Sequence, residues 1–342
     1  MTARSTAAPA RAAAPRPADL FNGYIGSCLV YALQDVGLLA ALSEAPVDLA
    51  AFAGRAGVEP ARLRAMVRAV ASLGYVAVDG DVCELTEAGR GLWAEVCYFT
   101  CTVGGYGDLF LNLAPIIRGE KRFLADVPAR FDQVAKGRQQ YSRGYELDVL
   151  GRVLDGVEPR TIVDLASGDG SYLLFACGRH PDVRAFGVDL SADACARARA
   201  RLREAGHSDR ATIVESTIDG VLLRPEAHPG LAEADLVTCF ALLHHLIAAP
   251  DGAAGFLRRL RAAFPNARHF LFSDITAMSE EQRRGDLPIF SLAYELFHVF
   301  MDIEIQPHDA YLRAFDEAGL RLVRHSGFGQ PNDQLYLVAP AD

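Results

Sequence analysis

The chain has 342 residues, 51% of them apolar and 23% charged, with a formal net charge of -9. That balance describes a folded globular protein long enough for two domains and excludes a disordered chain. It also argues against a nucleic-acid partner, which needs clustered Lys and Arg, and no apolar run reaches the roughly 18 residues of a membrane-spanning helix.

Seven cysteines, Cys28, Cys83, Cys97, Cys101, Cys177, Cys195 and Cys239, are scattered without a Cys-x-x-Cys spacing. They read as reduced core thiols of a cytoplasmic protein, neither a disulfide framework nor a thiolate zinc site. Residues 1–17 are rich in Ala, Pro and Arg. Prolines 9, 15 and 17 interrupt any amphipathic helix there, so a disordered tail is expected.

From 18 to 45, Phe21, Ile25, Cys28, Leu29, Ala32, Val36, Leu39 and Leu42 recur at helical spacing. This predicts one long helix whose apolar side needs a partner, a subunit interface. Two further helices, 48–57 and 59–73, precede a hairpin over 75–85 turned at Asp79-Gly80-Asp81, the order of a winged helix-turn-helix. Arg62, Arg64 and Arg68 on the second helix suit DNA recognition, but Glu59, Asp79, Asp81 and Glu84 oppose it. Residues 18–110 therefore read as a dimerisation domain. The helical segment 111–154 reads as a linker that, with aromatic residues such as Trp93, Tyr98, Phe99, Tyr106 and Phe110, either packs a core or lines a substrate chamber.

Residues 155–342 alternate strands with helices. Strands are expected at 161–165, 184–189, 211–215, 234–240, 268–274, 321–326 and 334–339, a doubly wound α/β sheet. The last two, split by 327–333, predict a terminal hairpin with one antiparallel edge strand.

The first of these strands runs into a small-residue loop, Asp164-Leu-Ala166-Ser167-Gly168-Asp-Gly170, and the second ends at Asp189-Leu190. A ligand of an open parallel sheet sits outside the carboxyl ends of the strands, where small residues permit close backbone approach. An acid about 20 residues beyond such a loop is placed to take two ribose hydroxyls. A dinucleotide would want a third glycine. The spacing resembles the first motif of class I S-adenosylmethionine-dependent methyltransferases, which implies a Rossmann-like seven-stranded fold and S-adenosylmethionine as cofactor. Residues 164, 166–168, 170, 189 and 190 fall on that binding segment, as do Ser216, Thr217 and Cys239 at the ends of later strands. Ala166 stands where a glycine is usual, and Glu215-Ser216-Thr217 where many relatives carry Gly-Asp, so the adenine contacts follow less directly than the ribose contact.

The fourth strand leads into His244 and His245, and His298 lies on an apolar helical stretch, Leu287 to Met301. A buried imidazole needs a hydrogen bond or a metal. The run Cys239-Phe-x-x-x-His244, the stretch Leu260 to Leu271 and the segment Leu287 to His298 together resemble the metal-dependent α-keto acid C3-methyltransferases, over nearly the whole chain. That group includes phenylpyruvate, 2-ketoarginine and 4-methyl-2-oxopentanoate C-methyltransferases. The resemblance implies His244 and His298 as metal ligands and a small α-keto acid as substrate; imidazole accepts zinc and iron alike, and the N-terminal domain is expected to form a homodimer. His245, at a position acidic in some relatives, is a third ligand or the base that takes the C3 proton.

The residue types suit that chemistry: an imidazole-held cation chelating an α-keto acid stabilises the enediolate formed when C3 loses a proton. Asp274, closing the fifth strand, orients an imidazole or is simply a solvated acid at a strand end. Arg130, Arg138 and Arg143 are candidates for the substrate carboxylate, and Glu295 or Asp148 for a cationic substrate side chain. The rival is a metal-independent small-molecule O-methyltransferase with His244 as general base. A ligand-responsive DNA-binding regulator built on a dead methyltransferase fold is the third reading, and the intact Asp164, Gly168, Gly170 and Asp189 set opposes it.

Overall fold

The computed structural model describes residues 14–247, 252–285 and 287–341, and the chain divides into two compact units, Met1–Gly144 and Tyr145–Asp342. Most of the expected tail lies outside the described residues. Among those described, no single helix is long and apolar enough to cross a membrane.

The N-terminal unit opens with helices Pro17–Asp35 and Leu38–Glu44. The single helix expected over 18–45 is broken because Gly37 takes a φ of 84°, a conformation open to glycine. Helix Leu49–Ala56 is capped by Asp48, whose carboxylate accepts the Ala51 N–H at 2.7 Å, and helix Pro60–Ser72 by Glu59. Strands β1 (Val47–Asp48), β2 (Val76–Asp79) and β3 (Val82–Leu85) form an antiparallel sheet in the order β1-β3-β2. Leu33, Leu39, Val67, Val70 and Cys83 fill the core beneath it, while Leu20, Phe21, Tyr24 and Ile25 on the first helix stay exposed. Arg62 and Arg64 are paired with Glu59 and Asp81. Farther on, helix Phe131–Tyr141 packs closely on the π-helical turn Thr100–Gly105 because Gly137 has no side chain; a Cβ there would stand 2.9 Å from Cys101.

The second unit holds seven strands: β4 (Thr161–Leu165), β5 (Arg184–Asp189), β6 (Ala211–Glu215), β7 (Leu236–Phe240), β8 (His269–Ile275), β9 (Leu320–Gly327) and β10 (Asp333–Pro340). Their order is β6-β5-β4-β7-β8-β10-β9. The terminal hairpin is inserted so that β10 runs antiparallel between β8 and β9. The antiparallel strand is thus second from the edge, and the edge strand β9 follows the direction of the parallel set. Alternation of side chains splits the core into two layers. Val163, Leu165, Val237, Cys239, Phe270 and Phe272 pack on one face with residues of helices Gly252–Ala263 and His308–Glu317. Ile162, Leu236 and Leu271 pack on the other with Leu147–Val157, Ser171–Arg179 and Ala192–Glu204. The helix Leu147–Val157, read from sequence as the end of a linker, belongs to this unit because Val149, Leu150, Val153 and Leu154 form an apolar stripe buried in that second layer.

Candidate active site

The loop after β4 is turned by three residues with positive φ: Ala166 at 60°, Gly168 at 54° and Gly170 at 75°. Ala166 therefore pays the left-handed penalty that a glycine avoids. Asp189 closes on this loop from the next strand: Oδ2 accepts the Gly168 N–H at 2.8 Å and Oδ1 accepts the Ser191 N–H at 2.9 Å. Arg201 ties the loop down from the far side, donating to the Asp169 carbonyl at 3.1 Å and the Ser171 hydroxyl at 3.0 Å. Leu190, the residue after Asp189, is 75% exposed.

Three of the other expected cofactor residues sit less openly. Asp164 is buried within the sheet, its Oδ1 accepting the Thr238 hydroxyl at 2.7 Å, and burial pushes its carboxyl up to about 7. Its Oδ2 and the Ser167 hydroxyl are buried without a partner among the described residues. Cys239 is buried in the helix-covered layer, and burial raises its thiol far out of the reactive range. Thr217 caps helix Ile218–Leu223, its hydroxyl accepting the Gly220 N–H at 3.0 Å, and Ser216 adjoins it.

At the carboxyl end of β7 the chain turns through Ala241, at a φ of 49°, into the short helix Leu243–Leu246. His244 is buried, and Asp274 at the end of β8 holds it twice: Oδ2 accepts its backbone N–H and Oδ1 faces its Nδ1, both at 2.7 Å. Burial alone would raise the Asp274 carboxyl, but the neighbouring His244 and the N–H groups of Ile275 and His244 hold it below the usual carboxylate range. Asp274 is no solvated strand-end acid; it is 1% exposed. With Nδ1 donating to a carboxylate, His244 carries its lone pair on Nε2, which the Tyr294 hydroxyl faces at 3.3 Å.

His298 lies on helix Ser291–Val299, which starts at Phe290 with a φ of 75°. Its Nδ1 donates to the Tyr294 carbonyl one turn back at 2.7 Å, so its Nε2 also carries the lone pair. The His244 and His298 rings are 4.6 Å apart and nearly perpendicular, and His245 lies 4.4 Å from His244. One nitrogen from each of the three imidazoles lies within 4.8 Å of the other two. Burial, with the nearby His244, pushes His298 down to about 3 and His245 to about 4, so both rings are neutral at physiological pH. Clustered imidazoles, two of them oriented through Nδ1, are a donor set that zinc or iron accepts.

Of the other candidates, Glu295 is committed to the Met278 N–H at 2.6 Å and to Arg283, and Asp148 is exposed on its helix. Arg130 and Arg138 belong to the N-terminal unit, where Arg130 donates to Tyr31 and Arg138 lies 4.8 Å over the Tyr141 ring. Sequence reasoning did not find Tyr294 and Tyr311, whose hydroxyls lie 3.4 and 3.3 Å from Asp274, or buried Glu146, which accepts from Tyr172 and Ser273. The four-residue spacing of Tyr294 and His298 was a signal for the first; the others carry none.

The methyltransferase-domain family profile matches residues 163–284, which span the glycine loop, both adjacent histidines and Asp274. The chain is an S-adenosylmethionine-dependent methyltransferase. It is 29% identical to methyltransferase ungE' of Aspergillus campestris (strain IBT 28561), with 91% of this chain and 92% of the relative covered. It is 27% identical to the indolepyruvate C-methyltransferase of Streptomyces griseus (95% of each covered) and 24% identical to the 2-ketoarginine methyltransferase of Streptomyces arginensis (86% and 85%). Among solved structures, the mitomycin 7-O-methyltransferase MmcR superposes with a TM-score of 0.66 at 19% identity, covering 95% of this methyltransferase and 96% of that chain. This likeness establishes the class I α/β fold.

Proposed function

We propose that this methyltransferase transfers the methyl group of S-adenosylmethionine to C3 of an α-keto acid held on a zinc or iron ion by His244, His298 and His245, giving a β-methyl-α-keto acid. The observation that carries the reading is the convergence of three imidazole nitrogens within 4.8 Å, two of them with Nδ1 already committed as donors. Relatives named for indolepyruvate and 2-ketoarginine, both α-keto acids, support the substrate class. A divalent cation bound there would supply Lewis acidity to the chelated carboxylate and keto oxygens, which acidifies the C3–H. The chain's own residues do the rest. Asp274 fixes the His244 ring, the Tyr294 carbonyl fixes His298, and His245, neutral and more open than its neighbours, is the third ligand or the acceptor of the C3 proton. Asp189 and the N–H groups of the glycine loop hold the donor's ribose and amino-acid tail, with Leu190, Ser216 and Thr217 beside the adenine. The product is a precursor of a β-methyl amino acid.

The test is a mass-spectrometric screen of α-keto acids with added zinc or iron. Gain of one methyl group on carbon, lost with a chelator, supports the reading; methylation that persists in chelator, or on oxygen, overturns it. A metal-independent O-methyltransferase with His244 as base is the second reading, and the His244–Asp274 pair favours it as a base held by a carboxylate. It leaves the convergence of His298 unexplained.

We infer that the N-terminal unit is a dimerisation domain. The exposed Leu20, Phe21, Tyr24 and Ile25 of its first helix and the paired Arg62 and Arg64 support a homodimer over DNA binding. Light scattering at the mass of two chains, reduced to one by Phe21→Asp, is the expected result.

A further inference from the structure

Resting on that reading of the histidine site, we propose that Tyr311 is a positioning residue: its hydroxyl holds the Asp274 carboxylate, and through it the Nε2 of His244, in register for binding. Tyr311 lies on helix His308–Glu317, an element separate from both histidine-bearing helices, and is 1% exposed. Its neighbours are the aromatic layer: its ring stacks on Tyr336 at 5.7 Å, and Phe315 and Phe272 belong to the same cluster. In such surroundings phenylalanine would pack equally well, and a hydroxyl buried there unsatisfied is destabilising. The hydroxyl instead donates to Asp274 Oδ2 at 3.3 Å.

The need for that donor follows from the acid. Asp274 is a buried anion, and it turns one oxygen to the His244 N–H and Tyr311 and the other to His244 Nδ1, the Ile275 N–H and, at 3.4 Å, the Tyr294 hydroxyl. A carboxylate that grips a ring by one oxygen and the same residue's backbone by the other can orient it only if neither oxygen swings. The Tyr311 hydroxyl is the side-chain donor to Oδ2 that opposes such a swing. Groups of this kind behind a ligating histidine set metal affinity by about 10–100-fold.

Tyr311→Phe keeps the ring and removes only the hydroxyl. Cobalt(II) binding to the full chain, read by competition with a coloured chelator, is expected to weaken about 10-fold at unchanged stoichiometry. Tyr336→Phe, which alters the stacked neighbour without touching Asp274, is expected to bind as the wild type does. A Tyr311→Phe affinity within twofold of wild type overturns the inference. The ring nitrogens of His244 in ¹⁵N-histidine-labelled protein give a second readout that needs no metal: the inference expects their signals to shift in Tyr311→Phe and not in Tyr336→Phe, and unchanged signals overturn it. A wild type that binds no cobalt defeats the metal reading, while the ¹⁵N spectra still decide the role of Tyr311.

Discussion

The histidine cluster and the glycine loop lie at the same end of one sheet, yet the chain finishes the first from within and leaves buried polar atoms of the second unpaired. Around His244 and His298 each Nδ1 has an acceptor, and buried Asp274 is held charged by the donors about it. At the loop, Asp164 Oδ2 and the Ser167 hydroxyl are buried without partners among the described residues, and the Asp164 carboxyl rises to about 7. Two acids of the same type, both 1% exposed, thus shift in opposite directions, and the donors within reach decide the sign. The imidazoles are oriented by one carboxylate and one backbone carbonyl, whereas the glycine loop presents backbone N–H groups from a turn pinned by Asp189.

Four perturbations probe that contrast. Removing a ring from the cluster has the largest effect: His298→Ala should lower methyl transfer on the order of a thousandfold while donor affinity, measured by calorimetry, stays within about twofold. At the loop, Asp164→Asn tests stability. A folded carboxyl raised to about 7 keeps a proton that the unfolded chain, near 3.8, has lost, so stability falls as pH rises between those values and is level above them. The amide retains an acceptor for Thr238 and cannot ionise, so the variant should gain up to about 4 kcal/mol over wild type at pH 8 and little at pH 4, read from melting curves. Asp189→Ala should weaken donor binding by about 1.5–3 kcal/mol and leave cobalt affinity unchanged; a parallel loss of both would erase the distinction between the two regions. The smallest change is Ala166→Gly, which relieves a left-handed alanine at some cost in chain entropy. It is expected to stabilise by about 1 kcal/mol or less in thermal denaturation.

How much of this was legible varied with the kind of interaction. Strand bounds in the second unit came out within two residues because short β-branched and aromatic runs there stand apart from the helical stretches between them. The place of β10 between β8 and β9 did not, since a hairpin has the same pattern whichever strand lies outside. The break at Gly37 is local, but an apolar stripe continuing into Leu39 and Leu42 concealed it. His244 could be assigned from its place after a strand. Its meeting with His298 followed from resemblance alone, because no periodicity joins two distant segments. Tyr311 was invisible, since a hydroxyl added to a core aromatic changes no hydrophobic pattern and acquires its role only from Asp274 across the fold.

The most direct measurement is deuterium exchange at C3 of an α-keto acid, such as phenylpyruvate, incubated in heavy water with metal-loaded protein and no methyl donor. The account predicts exchange well above the protein-free rate, abolished by a chelator and by His298→Ala. Exchange at the protein-free rate, or exchange indifferent to the chelator, would contradict it.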